Sequence, residues 1–292
     1  MPKMITSAPA SVPKFKTEVS IKDLAQIPVI KETNESDEQI MERLRQRFSI
    51  LDDMTRAVKA GDIRAMIVSG PPGVGKSYNV EEVLSKHDVF ANVANDQKLK
   101  KYEVVKGAMS PLGLYMKLHE YKDKKSIVVF DDCDSVLLDD LSLNILKAAL
   151  DTGKKRMIHW NTDSRALREE QIDKSFEFRG GAIFITNIKF DHVRSKKLRD
   201  HLEALESRCH YLDLTIDTER EKMLRIKQMI TDGMLNRYEF GKEEVDELYE
   251  FVYNNASRMR ELSLRMMLKV ADLKRSFGAK YQDYARATCM KG

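Results

Sequence analysis

Gly70-Pro71-Pro72-Gly73-Val74-Gly75-Lys76-Ser77 is the stretch on which the fold turns. Two glycines enclosing four residues, followed by Lys and Ser, form the phosphate-loop pattern. The run Arg64–Val68 before it reads as a strand and Ser77–Leu84 after it as a helix. In that setting backbone N–H groups and a helix N-terminus converge where a polyphosphate would lie. Gly70, Pro71, Pro72, Gly73, Val74, Gly75, Lys76, Ser77 and Tyr78 are therefore the candidate nucleotide-binding residues. The Lys76 ammonium would neutralise the β- and γ-phosphates of ATP, and the Ser77 hydroxyl would ligate Mg2+. The alternative is a Gly-Pro turn with an incidental lysine.

Such a loop needs an acid for the metal at the end of a neighbouring strand, and Ile127-Val128-Val129-Phe130-Asp131-Asp132 supplies one. Asp131 is the candidate metal-side carboxylate. Asp132, one residue on, would orient or deprotonate an attacking water. The alternative for Asp132 or Asp134 is a cap on the following helix.

Further strand-like runs are Tyr102–Val105, Ser126–Phe130, Ala182–Thr186 and Tyr211–Leu214. Their apolar stretches are continuous, as in parallel strands covered on both faces. Helical segments separate them, including 37–59 with Ile40, Leu44, Phe48, Leu51, Met54 and Val58 on one face, ended by Gly61 and Asp62. The rhythm predicts an α/β doubly wound parallel sheet of five strands over 36–214. After residue 215 three helices are expected to form a small all-helical lid, the last of them carrying Met259, Leu262, Met266, Val270 and Leu273. Residues 1–35 hold four of the seven prolines, so a flexible tail is expected there.

Composition narrows the function classes. At 292 residues the chain suits two domains, and 42% hydrophobic with 33% charged residues excludes wholesale disorder. Apolar runs such as Ile127–Phe130 fall far short of the roughly 20 residues that span a bilayer. No secretory signal follows the first lysines, so a cytoplasmic protein without a membrane partner is expected. Three scattered cysteines suit neither a disulfide framework nor a zinc site. The net charge of +4 is too small to diagnose nucleic-acid binding alone. Residues 254–292, however, carry nine Lys/Arg against three Asp/Glu.

Over roughly 37–290 the chain resembles the AAA+ ATPases. That resemblance implies a polar sensor after the fourth strand, which Asn187 in Gly-Gly-Ala-Ile-Phe-Ile-Thr-Asn matches. It also implies an arginine before the fifth strand that reaches the neighbouring subunit's site. Arg208 in Glu-Ser-Arg-Cys-His matches it, and its Ser-Arg-Cys triplet is similar to that of clamp loaders. Arg260 in Ser-Arg-Met-Arg-Glu-Leu resembles the lid arginine. Arg194, Arg199 and Arg258 compete for these roles. The implied catalytic set is thus Lys76, Asp132, Asn187, Arg208 and Arg260, acting on ATP with Mg2+ in a homo-oligomeric ring or open ring, with a hexamer expected. Most relatives carry Glu where this chain has Asp132, which implies slower hydrolysis.

The resemblance also frames the partner. Arg156–Trp160 and Ser175–Phe178 can pair as a hairpin presenting Lys154, Lys155, Arg165, Arg168, Lys174 and Arg179. Similar hairpins precede sensor 1 in DNA-directed members, although a solvated charged excursion is the competing reading. Trp160 is expected in hairpin packing. The segment Val105–Pro111 stands where unfoldases carry an aromatic pore loop and has no aromatic, which disfavours threading. With no segment after the expected lid to match a clamp loader's collar, a dedicated clamp loader is not the expectation. ATP-driven loading or remodelling of a DNA-associated complex, as in small phage or bacterial members, is the expected task. A protein-remodelling chaperone with its own protein client, or a non-hydrolysing scaffold, is the alternative.

Overall fold

The computed structural model describes residues 35–87 and 101–291, of which those from Ser36 onward belong to one compact unit. The tail expected over 1–35 lies, Glu35 apart, outside the described residues. Helix α1, Asp37–Ala60, starts because the Ser36 hydroxyl accepts from the Gln39 N–H while the Gln39 side chain accepts from the Ser36 N–H. It stops at Gly61, whose φ of 87° caps the helix in the left-handed region. Ile40, Leu44, Phe48, Leu51 and Val58 form its buried face.

The central strands are β1 (Ala65–Ser69), β2 (Tyr102–Lys106), β3 (Ile127–Asp131), β6 (Gly181–Thr186) and β7 (His210–Asp213). They form one parallel sheet in the order β2-β3-β6-β1-β7. Every residue of β1, β3 and β6 is buried, whereas β2 and β7, at the edges, are half exposed. Alternate residues of the central strands face opposite layers. Ile67, Val128, Phe130 and Phe184 pack with Leu114 of α3 (Pro111–Glu120), Leu146 of α5 (Asp140–Ala149) and Leu202 of α7 (Lys196–Glu206). Met66, Val68, Val129 and Ile185 pack with α1 and with Val80 and Leu84 of α2 (Lys76–His87). The registers Ser69↔Thr186, Asp131↔Ile185 and Lys106↔Asp131 bring the strands' carboxyl ends to one edge. Open α/β sheets bind ligands at that edge.

Between α5 and β6, strands β4 (Met157–His159) and β5 (Ser175–Glu177) pair antiparallel, with α6 (Arg165–Glu169) in the excursion they enclose. Ile158, Leu167 and Phe176 are buried, and Trp160 packs on Tyr115 with ring centroids 5.6 Å apart. Four of the hairpin's cations are ion-paired at the surface. Arg168 and Lys174 pair with Asp163, Arg165 with Glu169, and Arg179 with Asp123. Arg156 is buried and donates to the Ala149 and Gly180 carbonyls.

Helices α8 (Glu219–Thr231), α9 (Lys242–Asn254), α10 (Leu264–Phe277) and α11 (Tyr281–Cys289) enclose a separate core of Met223, Ile226, Leu248, Val252, Met267, Val270 and Tyr281. Two expectations change here. The helix thought to include Met259 and Leu262 begins at Leu264, because the Ser263 hydroxyl caps it by accepting from the Met266 N–H. Met259 is buried through a bridge to Met290, and α11 is a helix the periodicity did not mark. Among the described residues no helix is long and apolar enough to cross a membrane.

Candidate nucleotide-binding site

Between β1 and α2 the phosphate loop turns on glycines at positive φ, 72° at Gly73 and 104° at Gly75. Pro72, Gly73, Gly75, Lys76, Ser77 and Tyr78 line a cavity of about 790 Å³ together with Asp132 and Asn187. That size falls within the range of ligand pockets. Gly70 and Pro71 line a smaller adjoining one, and Val74 is buried behind the loop. Lys76 is 5% exposed. Its Nζ donates to the carbonyls of Gly70 (2.6 Å) and Pro71 (2.9 Å) and to Asn187 Oδ1 (2.8 Å). Burial pulls its pKa down to about 8, against the fields of Asp132 and Asp131. A buried ammonium with only neutral hydrogen-bond partners is suited to an anionic one.

The acids gather on the same side. Ser77 Oγ donates to Asp131 Oδ1 at 2.8 Å, uniting a hydroxyl and a carboxylate as hard oxygen ligands for a divalent cation. Lys106, at the end of β2, stands 3.4 Å from Asp131 Oδ2 and 2.7 Å from Glu81 on α2. Asn187 Nδ2 donates to Asp132 Oδ1 at 2.9 Å, so Lys76, Asn187 and Asp132 form one chain of hydrogen bonds. Asp132 has φ 52°, a left-handed backbone that Asp and Asn tolerate better than most residues. Neither Asp132 nor Asp134 caps the next helix. α4 (Asp134–Leu138) has Cys133 at its N-cap without a side-chain bond, and Asp134 instead accepts from Thr186 Oγ1 at 2.7 Å.

The arginines divide differently from their sequence reading. Arg260 is exposed; its backbone N–H donates to Cys289 O, and its side chain does not line the cavity. Arg265, in the first turn of α10, does line it, and its charge acts on Lys76. The signal that could have found it is Ser263, the cap that opens a helix directly at the phosphate loop. Arg208, in the turn between α7 and β7, lines neither of these two cavities, and among the described residues its buried Nε has no hydrogen-bond partner. Of its competitors, Arg199 donates to Val193 O of its own loop. Arg225 on α8, which the sequence reading missed, also lines the cavity.

The lid touches the loop directly. Leu264 N–H donates to Gly73 O at 2.9 Å, and a Cβ on Gly73 would stand 2.7 Å from Ser263 Cβ. Gly107, at φ 94°, has nothing within 4 Å of such a Cβ. Both positions therefore carry the backbone cost of about 1–2 kcal/mol for Ala at positive φ, but Gly73 alone adds a collision. Gly73→Ala is expected to lower the melting temperature by clearly more than Gly107→Ala, which at that cost should lose roughly 2–8 °C. Thermal unfolding of the two variants side by side checks this, and equal losses would mean that the lid does not press on Gly73.

No protein-family model matches the chain. A protein of Enterobacteria phage T4, described as an uncharacterized 36.7 kDa protein in the nrdC-mobD intergenic region, is 37% identical over 246 residues, 83% of this chain and 73% of that protein. Among solved structures, the S. cerevisiae Hsp104:casein complex matches at 15% identity and a TM-score of 0.46, over 84% of this chain and 41% of that one. The replication initiator DnaA bound to AMPPCP and single-stranded DNA matches at 12% identity and a TM-score of 0.41, over 89% and 66%. Drosophila ORC bound to DNA matches at 14% and 0.39, over 96% and 68%. This chain spans less than two thirds of the Hsp104 and DnaA chains. With every TM-score below 0.5, the fold assignment rests on the parallel five-stranded sheet, the phosphate loop after β1, the acids ending β3 and the helical lid. On the identity and coverage it shares with the phage T4 protein the chain belongs to that protein's family, and its fold is the doubly wound parallel phosphate-loop sheet with a helical lid that the sequence resemblance to AAA+ proteins implies.

Proposed function

We propose that the protein binds and hydrolyses Mg-ATP at this site, that a neighbouring copy completes the site, and that the cycle drives loading or remodelling of a DNA-associated complex. The observation that carries the nucleotide reading is the convergence of Lys76, Ser77, Asp131, Asp132 and Asn187, from the ends of three adjacent strands, on one cavity edge. Lys76 exchanges its carbonyl partners for β- and γ-phosphate oxygens. Ser77 and Asp131 hold Mg2+, which when bound supplies neutralising charge to those oxygens. Asp132 orients or deprotonates the attacking water, and Asn187 fixes Asp132 relative to the γ-phosphate. Arg265 takes the lid role that the sequence resemblance gave to Arg260.

Arg208 does not line the two cavities at its own chain's phosphate loop, which supports a role in the adjacent site of a homo-oligomeric ring, with six copies expected. Because Arg165, Arg168 and Arg179 of the hairpin are ion-paired, the DNA-associated task rests on residues 254–292. There Lys274 and Arg286 are also ion-paired and Arg265 lines the cavity, so the cations carrying the reading are Arg258, Arg260, Lys269, Arg275, Lys280 and Lys291. ATPase activity stimulated by DNA, with a steep loss as salt rises, is the expected signature. Stimulation by a protein client alone would replace DNA with protein remodelling.

Hydrolysis itself is tested with Asp132→Asn. Asn tolerates the left-handed backbone as Asp does, so the fold is retained. Phosphate release at saturating Mg-ATP is expected to fall about 10²–10⁴-fold with ATP still bound. A variant as fast as an active wild type would remove Asp132 from the chemistry. A wild type that binds ATP without releasing phosphate would instead make the protein an ATP-dependent scaffold.

A further inference from the structure

Arg225 is the most deeply buried arginine of the lid, 5% exposed, and it lies among groups that do not balance its charge. Its guanidinium carbon sits 3.5 Å from the centroid of the Phe48 ring. Nε donates to Val74 O at 3.4 Å and Nη1 to Gln228 Oε1 at 3.5 Å, both at the long limit of hydrogen bonding. Asp232 and Asp52 act on it through space, but among the described residues no carboxylate forms an ion pair with it. Burial pulls its pKa down to about 10. An unpaired buried cation is costly to a fold unless something else supplies the counter-charge.

The cavity supplies a place for that counter-charge. Arg225 lines the same cavity as Gly75, Lys76 and Ser77, and its Nη2 is 3.6 Å from where a Cβ on Gly75 would stand. It reaches the loop at Val74 and Gly75, and it is not a member of the Lys76–Asn187–Asp132 chain that faces the γ-phosphate in the reading above. Resting on that reading, we propose that Arg225 is a nucleotide-binding residue: its guanidinium, stacked on Phe48, pairs with the diphosphate portion common to ATP and ADP. Because α8 belongs to the lid while Phe48 belongs to α1, the contact ties the lid to either nucleotide, whereas Arg265 is placed toward the γ-phosphate end.

The test compares the full chain with its Arg225→Met variant, measuring ATP and ADP binding by calorimetry and unfolding without nucleotide. The expected result is a Kd raised about 10- to 100-fold for ATP and ADP alike, as for a lost hydrogen bond to a charged group. The melting temperature without nucleotide should hold or rise, because an apolar chain of similar length replaces an unpaired charge. Wild-type Kd values for both nucleotides would overturn the proposal, as would a loss confined to ATP. A lowered melting temperature with unchanged Kd would make Arg225 a structural prop for α1. A wild type that binds neither nucleotide would instead sink the underlying nucleotide reading. If Arg225→Met does not fold, Arg225→Gln, which removes the charge but keeps hydrogen-bonding groups toward Val74 and Gln228, is measured the same way, and unchanged Kd values for both nucleotides again refute the contact.

Discussion

Lys76→Ala is expected to weaken ATP binding by one and a half to more than three orders of magnitude, on the order of the cost of breaking a buried charged pair, while leaving the chain folded. The wild-type ammonium is buried and has three neutral oxygens for partners, so the folded protein already bears the cost of desolvating it. Phosphate oxygens that replace those partners form charge-assisted bonds in a partly water-excluded site. Removing one member of such a buried charged pair costs about 2–5 kcal/mol, or roughly 30- to 5,000-fold in affinity. The same change removes a buried charge from the nucleotide-free protein, so its melting temperature should not fall far. Calorimetric titration with Mg-ATP, paired with thermal unfolding, checks both parts. Undiminished binding would move the nucleotide away from the loop.

Arg208→Ala should have the opposite profile, with ATP affinity retained and turnover lost. An arginine supplied from a neighbour stabilises charge in the transition state and contributes about 10³–10⁵ in rate. Arg208 has a placement that suits such a role, in the turn after α7, not lining the cavity at its own phosphate loop, with Nη1 tethered to Ala204 O and, among the described residues, no hydrogen-bond partner for Nε. Phosphate release by Arg208→Ala should fall by that factor at saturating ATP. Mixing it with Asp132→Asn should restore part of the activity, because some interfaces then join an intact Asp132 to an intact Arg208. Full-rate turnover by an isolated monomer would contradict the shared site.

The parts of the fold that were legible in the sequence are those governed by local chemistry. The five sheet strands fall within a residue or two of their expected bounds, because short apolar-rich runs ended by glycine or a polar residue mark them, and the three central ones are buried on both faces. The phosphate loop needed only its spacing and its place between a strand and a helix. Errors arose where a long-range contact decides the outcome. Met259 and Leu262 continue the apolar spacing of α10, yet the cap at Ser263 breaks the helix, and Met259 is buried against Met290 instead. Arg260 and Arg265 flank that cap, and only the docking of Leu264 on Gly73 shows which one faces the nucleotide cavity. Arg225 was hidden for the same reason. The pattern Met223, Ile226, Ile230 marks one buried face of α8, while Arg225 is buried by a second face packed on α1. The hairpin's positive charge was visible, but the pairing of Arg179 with Asp123, distant in sequence, was not.

The most direct measurement is a map of Asp132→Asn assembled with saturating Mg-ATP, by crystallography or electron cryomicroscopy. It should show the triphosphate wrapped by residues 70–78, Lys76 on the β- and γ-phosphates, Mg2+ held by Ser77 and Asp131, and Arg208 of an adjacent copy at the γ-phosphate. An assembly with the nucleotide elsewhere, or with Arg208 turned into its own subunit far from any neighbour's site, would contradict it.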